Sequence, residues 1–220
     1  MVTSTLRLDS PVVERRLLLS GFVLSGFATP LLAALAPWLA ERHRLDPAQL
    51  GFYFTVQFFC SFLASVIANR RAVLSLRLGF LALAAGVGLL LLSNHALSLC
   101  GAGLIGIGIG LVIPAGNGIC AYAGDSASRL MILNLMWSVG ALLTSLVLRR
   151  INPATLLSLA LLALLCILHS LLWMRRSITP TLRTRIPSQS LKLESLFALA
   201  LFLYVGAENG IAAWAKLLFS

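Results

Sequence analysis

Seven apolar runs, each long enough to cross a bilayer and parted only by polar breaks, leave this chain few folds to choose from. A spanning helix needs about 20 mainly apolar residues, and the runs fall at 17–40, 49–68, 73–92, 97–123, 129–148, 154–174 and 195–218. Hydrophobic residues make up 59% of the 220 and charged ones 11%, against roughly 45 to 50% apolar in a soluble domain. A soluble core of this length does not hide so much apolar surface. Lipid solvates it without cost, provided the backbone polar groups pair inside helices. The expected fold class is an all-α membrane protein, a polytopic bundle of transmembrane helices.

A net charge of +10 would suggest nucleic acid in a soluble chain, so the position of the seventeen Lys and Arg residues matters. With the N-terminus placed in the cytoplasm, Arg7, Arg15, Arg16, Arg70, Arg71, Arg77, Arg129, Arg175, Arg176, Arg183, Arg185 and Lys192 fall inside, and Arg77 is expected to snorkel back to that surface. Arg42, Arg44, Arg149 and Arg150 fall outside, with Lys216 near the C-terminus. This is the bias of the positive-inside rule. The basic excess therefore reports topology in a cell membrane, plasma or bacterial inner, and no nucleic-acid partner is expected.

The chain divides into a cytoplasmic segment at 1–16, a six-helix bundle at 17–174, a polar cytoplasmic linker at 175–194 and a seventh helix at 195–220. Run 17–40 is too long for a signal-peptide core of about 7 to 15 residues, and Pro37 directly follows the Ala34-Leu35-Ala36 triplet, a poor cleavage context. Cys60, Cys100, Cys120 and Cys166 lie inside apolar runs without metal-ligand spacing, so they read as small hydrophobes. His43 and His95 sit in outer loops and His169 near the inner end of run six. Nothing there gathers into a metal or nucleophile set, so neither a metal, nor a cofactor, nor an enzyme is expected.

Polar groups inside the runs are the candidates for function. Gly103, Gly106, Gly110 and Asn117 share one face of run four, where small residues let a neighbouring helix approach; Asn117 reads equally as packing or as solute contact. Gly101, Gly103 and Gly106 also fit GxGxxG, but without a preceding strand the match means helix contacts, not a dinucleotide. Asn134, Ser138, Ala141 and Ser145 share a face of run five beside Trp137 and Gly140, and Tyr53, Gln57, Ser61 and Ala64 one of run two. Amides in a bilayer need partners, so Gln57, Asn117 and Asn134 are expected to point inward, bonded to one another or lining a wet cavity. Glu208, near the middle of run seven, costs on the order of 2.5 to 3.5 kcal/mol to insert. It reads as a proton carrier, or as a protonated acid bonded to Asn209 or a neighbouring helix.

The segments Leu203-Tyr204-Val205-Gly206-Ala207-Glu208-Asn209-Gly210-Ile211-Ala212-Ala213-Trp214, Asn134-Leu135-Met136-Trp137-Ser138-Val139-Gly140, and 106–117 ending Pro114-Ala115-Gly116-Asn117 resemble the seventh, fifth and fourth helices of the fucose-permease-like branch of the major facilitator superfamily. The loop between runs two and three departs from that family's pattern. Ser65 stands where a Gly is usual and Asn69 where an Asp is, although Arg70 and Arg71 remain. The resemblance implies a six-helix half plus one further helix of a secondary permease. It also implies a small polar solute, such as a sugar carried with protons, contacting Gln57, Asn117, Asn134, Trp137 and Asn209, with Glu208 in proton coupling. Because the sequence stops at Ser220, where a second half would begin, the resemblance implies a truncated chain that does not transport as a monomer and needs a separate C-terminal half or a second copy. The alternative is a non-transporting membrane protein that uses its Gly-rich faces to bind other helices.

Overall fold

A computed structural model describes residues 11–68, 71–121, 126–148 and 153–174. The seventh apolar run, with Glu208 and Asn209, lies outside the described residues. Among the described residues all regular structure is helical: α1 (Pro11–Ala28), α2 (Leu31–His43), α3 (Pro47–Ala68), α4 (Ala72–Leu90), α5 (His95–Ala121), α6 (Ser126–Val147) and α7 (Pro153–Met174). They form six stretches long and apolar enough to cross a membrane, α1 and α2 together counting as one. The protein is an all-α, multi-pass membrane bundle.

The first apolar run is therefore two helices, not one. Pro30 has no N–H to continue the ladder, and its ring collides with the preceding turn. The chain accordingly breaks at Thr29-Pro30 and restarts at Leu31. Hydropathy alone does not register the break, because a proline in mid-run barely lowers it.

Ends elsewhere follow from local chemistry. Asp46 and Gln49 cap α3 reciprocally, Gln49 N–H donating to Asp46 Oδ1 at 2.7 Å and Asp46 N–H to Gln49 Oε1 at 3.0 Å, with Pro47 in the first turn. Asn94 Oδ1 takes the Leu97 N–H at 3.1 Å at the start of α5. α2 ends on Arg44 in the left-handed region (φ 52°, ψ 45°), closed by Leu45 N–H to Ala40 O at 2.9 Å. Only glycine holds that conformation freely. Arg44→Gly is thus expected to raise stability by about 0.5 to 1 kcal/mol, read as an increase in the thermal midpoint in mild detergent.

α5 is the hub, and its glycines let three helices approach. A Cβ on Gly106 or Gly110 would strike the carbonyls of Gln57 and Ser61 on α3, one on Gly101 or Gly108 the α4 backbone at Gly86 and Gly79, and one on Gly116 the Phe22 ring of α1. The same device joins α1 to α6: Gly26 faces the Trp137 carbonyl, and Gly140 faces Val23 and Phe27. These two contacts correspond. Gly106 follows Gly26 by 80 positions, and Trp137 follows Gln57 by 80; Gly103 against Cys60 likewise matches Val23 against Gly140. Three spans, an odd number, separate equivalent helices, so the two halves run in opposite senses: the bundle contains an inverted internal repeat.

α4 packs on both α5 and α7. Arg77 reaches back to the end of α7, the end expected at the inner surface. Its Nε donates to Trp173 O at 2.8 Å and its Nη2 to Met174 O at 3.2 Å, capping α7, while Ser170 Oγ donates to Arg77 O at 3.0 Å. A helix C-terminus has carbonyls without partners and a partial negative charge, so a guanidinium there is doubly favourable. Phe22, Tyr53, Phe80 and Trp173 fill the core, whereas α6 and α7 turn Met131, Leu142 and Leu157 outward, as a surface solvated by lipid requires.

Candidate functional site

The break at Thr29-Pro30 frees backbone groups in the middle of an apolar bundle, where an unpaired one costs several kcal/mol. Three side chains from other helices meet it, two at its carbonyls and one at the Thr29 hydroxyl. Thr144 of α6 donates its hydroxyl to Phe27 O at 2.7 Å. Gln57 of α3 donates Nε2–H to Thr29 O at 3.5 Å. Trp137 of α6 donates its indole N–H to Thr29 Oγ1 at 3.3 Å, and that hydroxyl donates to Ser25 O at 2.8 Å.

Distances separate these contacts by strength. The Thr144 bond is short and its hydroxyl fully buried, so it is a structural tie. The Gln57 bond lies at the limit of a hydrogen bond, although the side chain is only 2% exposed. Among the described residues no hydrogen bond falls on Gln57 Oε1. The centre at Thr29 therefore offers a loosely held amide, an indole N–H and a hydroxyl, and among the described residues no charged side chain is hydrogen-bonded to it. Such a set suits an uncharged polar molecule with an apolar face for the indole.

Of the residues expected to form a site, Gln57 and Trp137 converge on Thr29. Asn117 does not join them. It stands eleven residues beyond Gly106, the position facing Gln57, or about 16 Å along α5, and its Oδ1 is enclosed without a hydrogen-bond partner among the described residues. Asn134 does not point inward either: it is exposed on α6, as are Ser138 and Ser145. The inward face of α6 is Trp137, Gly140 and Thr144, spaced by three and four. Glu208 and Asn209 lie outside the described residues. Thr29 and Thr144 went unread in the sequence; the Thr29-Pro30 dipeptide in mid-run was the available signal for the first.

The histidines are less scattered than the sequence suggested. His43 and His95 place their rings 6.0 Å apart, and Tyr53 stacks on His95 at 5.6 Å while its hydroxyl donates to His95 O at 3.3 Å. His169 is buried between α1 and α4, Nε2 lying 3.1 Å from Leu17 O and 3.1 Å from Ser20 Oγ, with Phe80 against the ring. The four cysteines are free thiols. Among the described residues no three His, Cys, Asp or Glu side chains could together hold a metal ion. No family model, no curated protein and no solved structure matches the chain.

Proposed function

We propose that this chain belongs to a secondary permease and binds a small, uncharged polar solute at the Thr29-Pro30 break, between Gln57 and Trp137. The observation that carries the reading is the break itself, a helix interrupted inside a membrane-length run and met by side-chain donors from two other helices. Interrupted helices near mid-membrane and inverted repeats are the parts from which many transporters build a substrate site, and this bundle has both. A solute hydroxyl competing for the Gln57 amide would loosen the tie between α3 and the break, giving α1 and α2 freedom to re-angle. Residues resembling the fucose-permease-like branch favour a sugar or polyol, with Glu208 as the proton carrier and the N-terminus on the cytoplasmic side. A cell membrane is the expected location.

Proteoliposomes carrying the chain, alone and with a supplied second half, test this by uptake of labelled sugars and polyols under a proton gradient. Gln57→Ala and Trp137→Phe should each weaken solute binding by about tenfold, the effect of one lost hydrogen bond of about 1.4 kcal/mol, with the thermal midpoint measured beside binding because each change also releases a partner at the break. Glu208→Gln should abolish the response to the gradient. If the wild type binds and moves no uncharged solute in either format, the chain is a helix-binding membrane protein and the reading fails.

A further inference from the structure

The exposed polar stripe of α6 has no partner among the described residues. Asn134, Ser138, Ala141 and Ser145 lie within about 60° of one another at 100° per residue, and Asn134, Ser138 and Ser145 are exposed. Ser138 Oγ donates to Asn134 O at 3.0 Å, but the Asn134 amide has no hydrogen bond among the described residues. Next to this stripe α6 turns to lipid-type residues, Met131, Leu135 and Leu142. An amide and hydroxyls on a hydrocarbon-facing surface are costly unless another polar group covers them.

We infer that residues 195–218 of this same chain cover the stripe, with the Glu208 carboxyl meeting Asn134 and Ser138. Three features of the chain select this occupant. Run 195–218 is itself of membrane length and holds one acidic residue that needs donors, and a carboxyl accepts from the Asn134 amide N–H and, once the Ser138 hydroxyl turns from Asn134 O, from that hydroxyl as well. The levels agree: Ser138 lies twelve residues into α6, about 18 Å, and Glu208 thirteen residues into its run, about 20 Å if helical. The direction agrees as well, since α7 returns across the membrane and the polar linker 175–194 then starts the next run from the side where α6 starts. Twenty linker residues reach any point on the bundle end at about 3.3 Å each. This docking stands independently of solute transport.

The test is a cysteine pair in the full-length chain with the four native cysteines replaced by serine. With Ser138→Cys and Glu208→Cys, oxidation should link most of the protein within one chain. Trypsin cutting the linker at Arg183, Arg185 or Lys192 then leaves fragments that separate only on reduction. Leu157→Cys on α7, 72% exposed, paired with Glu208→Cys should not link. Three outcomes overturn the inference: links between two chains, free reaction of the cysteine at 138 with a water-borne maleimide, or no link at all. Should the cysteine variants fail to fold, a thermal cycle decides. Asn134→Ala plus Glu208→Gln should lower the midpoint no further than the worse single change, and an additive drop overturns the docking.

Discussion

Gly106→Val is expected to unfold the bundle, and the same substitution at Gly88 to leave it intact. Gly106 faces the backbone carbonyl of Gln57 with no room for a Cβ. A backbone is not the flexible end of a side chain, so α3 and α5 must separate. Overpacking usually costs roughly 1 to 3 kcal/mol, and more where nothing can yield; the cost here sits at or above the top of that range. It also pulls Gln57 off Thr29, so any surviving protein loses the binding centre. Gly88 is exposed and a Cβ there meets nothing within 4 Å, which places its substitution within about 0.5 kcal/mol of neutral. The thermal midpoint and the monodisperse fraction in mild detergent check both. Equal loss at the two positions would mean that valine harms these helices generally and that the close approach of α3 and α5 is not the cause.

Arg77→Met is expected to destabilise by about 2 kcal/mol and Arg77→Lys by roughly half as much. The guanidinium spans the last two carbonyls of α7, Trp173 O and Met174 O. Hydrogen bonds to a charged group contribute about 1.5 to 3 kcal/mol each when shielded, and partial exposure holds the sum to the low end. Lysine keeps the charge near the helix end but lacks the planar fork that reaches both oxygens. The readout is the unfolding midpoint together with acrylamide quenching of Trp173, which is 1% exposed in the folded chain. Stability unchanged in Arg77→Met would show that water serves these carbonyls equally well.

Much of this architecture was legible before any coordinate. Apolar runs of about 20 residues admit little besides membrane helices, because hydrocarbon forbids unpaired backbone, and α3 to α7 begin and end within about three residues of the expected runs. The glycine face of run four read correctly as a docking face: Gly103, Gly106 and Gly110 all meet α3. Gln57 was legible as a candidate because an amide in a bilayer must find a partner, and Trp137 through the resemblance of its run to a permease helix.

What the tertiary structure decided is which partner. Helical period groups Asn134 with Ser138 and Ser145, but period does not say which face of α6 turns inward. Packing chose Trp137, Gly140 and Thr144, because only at a glycine can α1 come close enough for Thr144 to reach Phe27 O. The break at Pro30 was written in the sequence as one residue, yet its consequence depends on α3 and α6 bringing Gln57 and Trp137 to Thr29 from 28 and 108 positions away. The 80-residue inverted repeat is likewise a relation between contacts, marked in the sequence only by scattered matches such as Gly26 with Gly106 and Leu24 with Leu104. Hydropathy reports each residue's exchange with lipid and so determines the number and position of spans; pairing energies belong to two helices at once, and only their approach in space selects them.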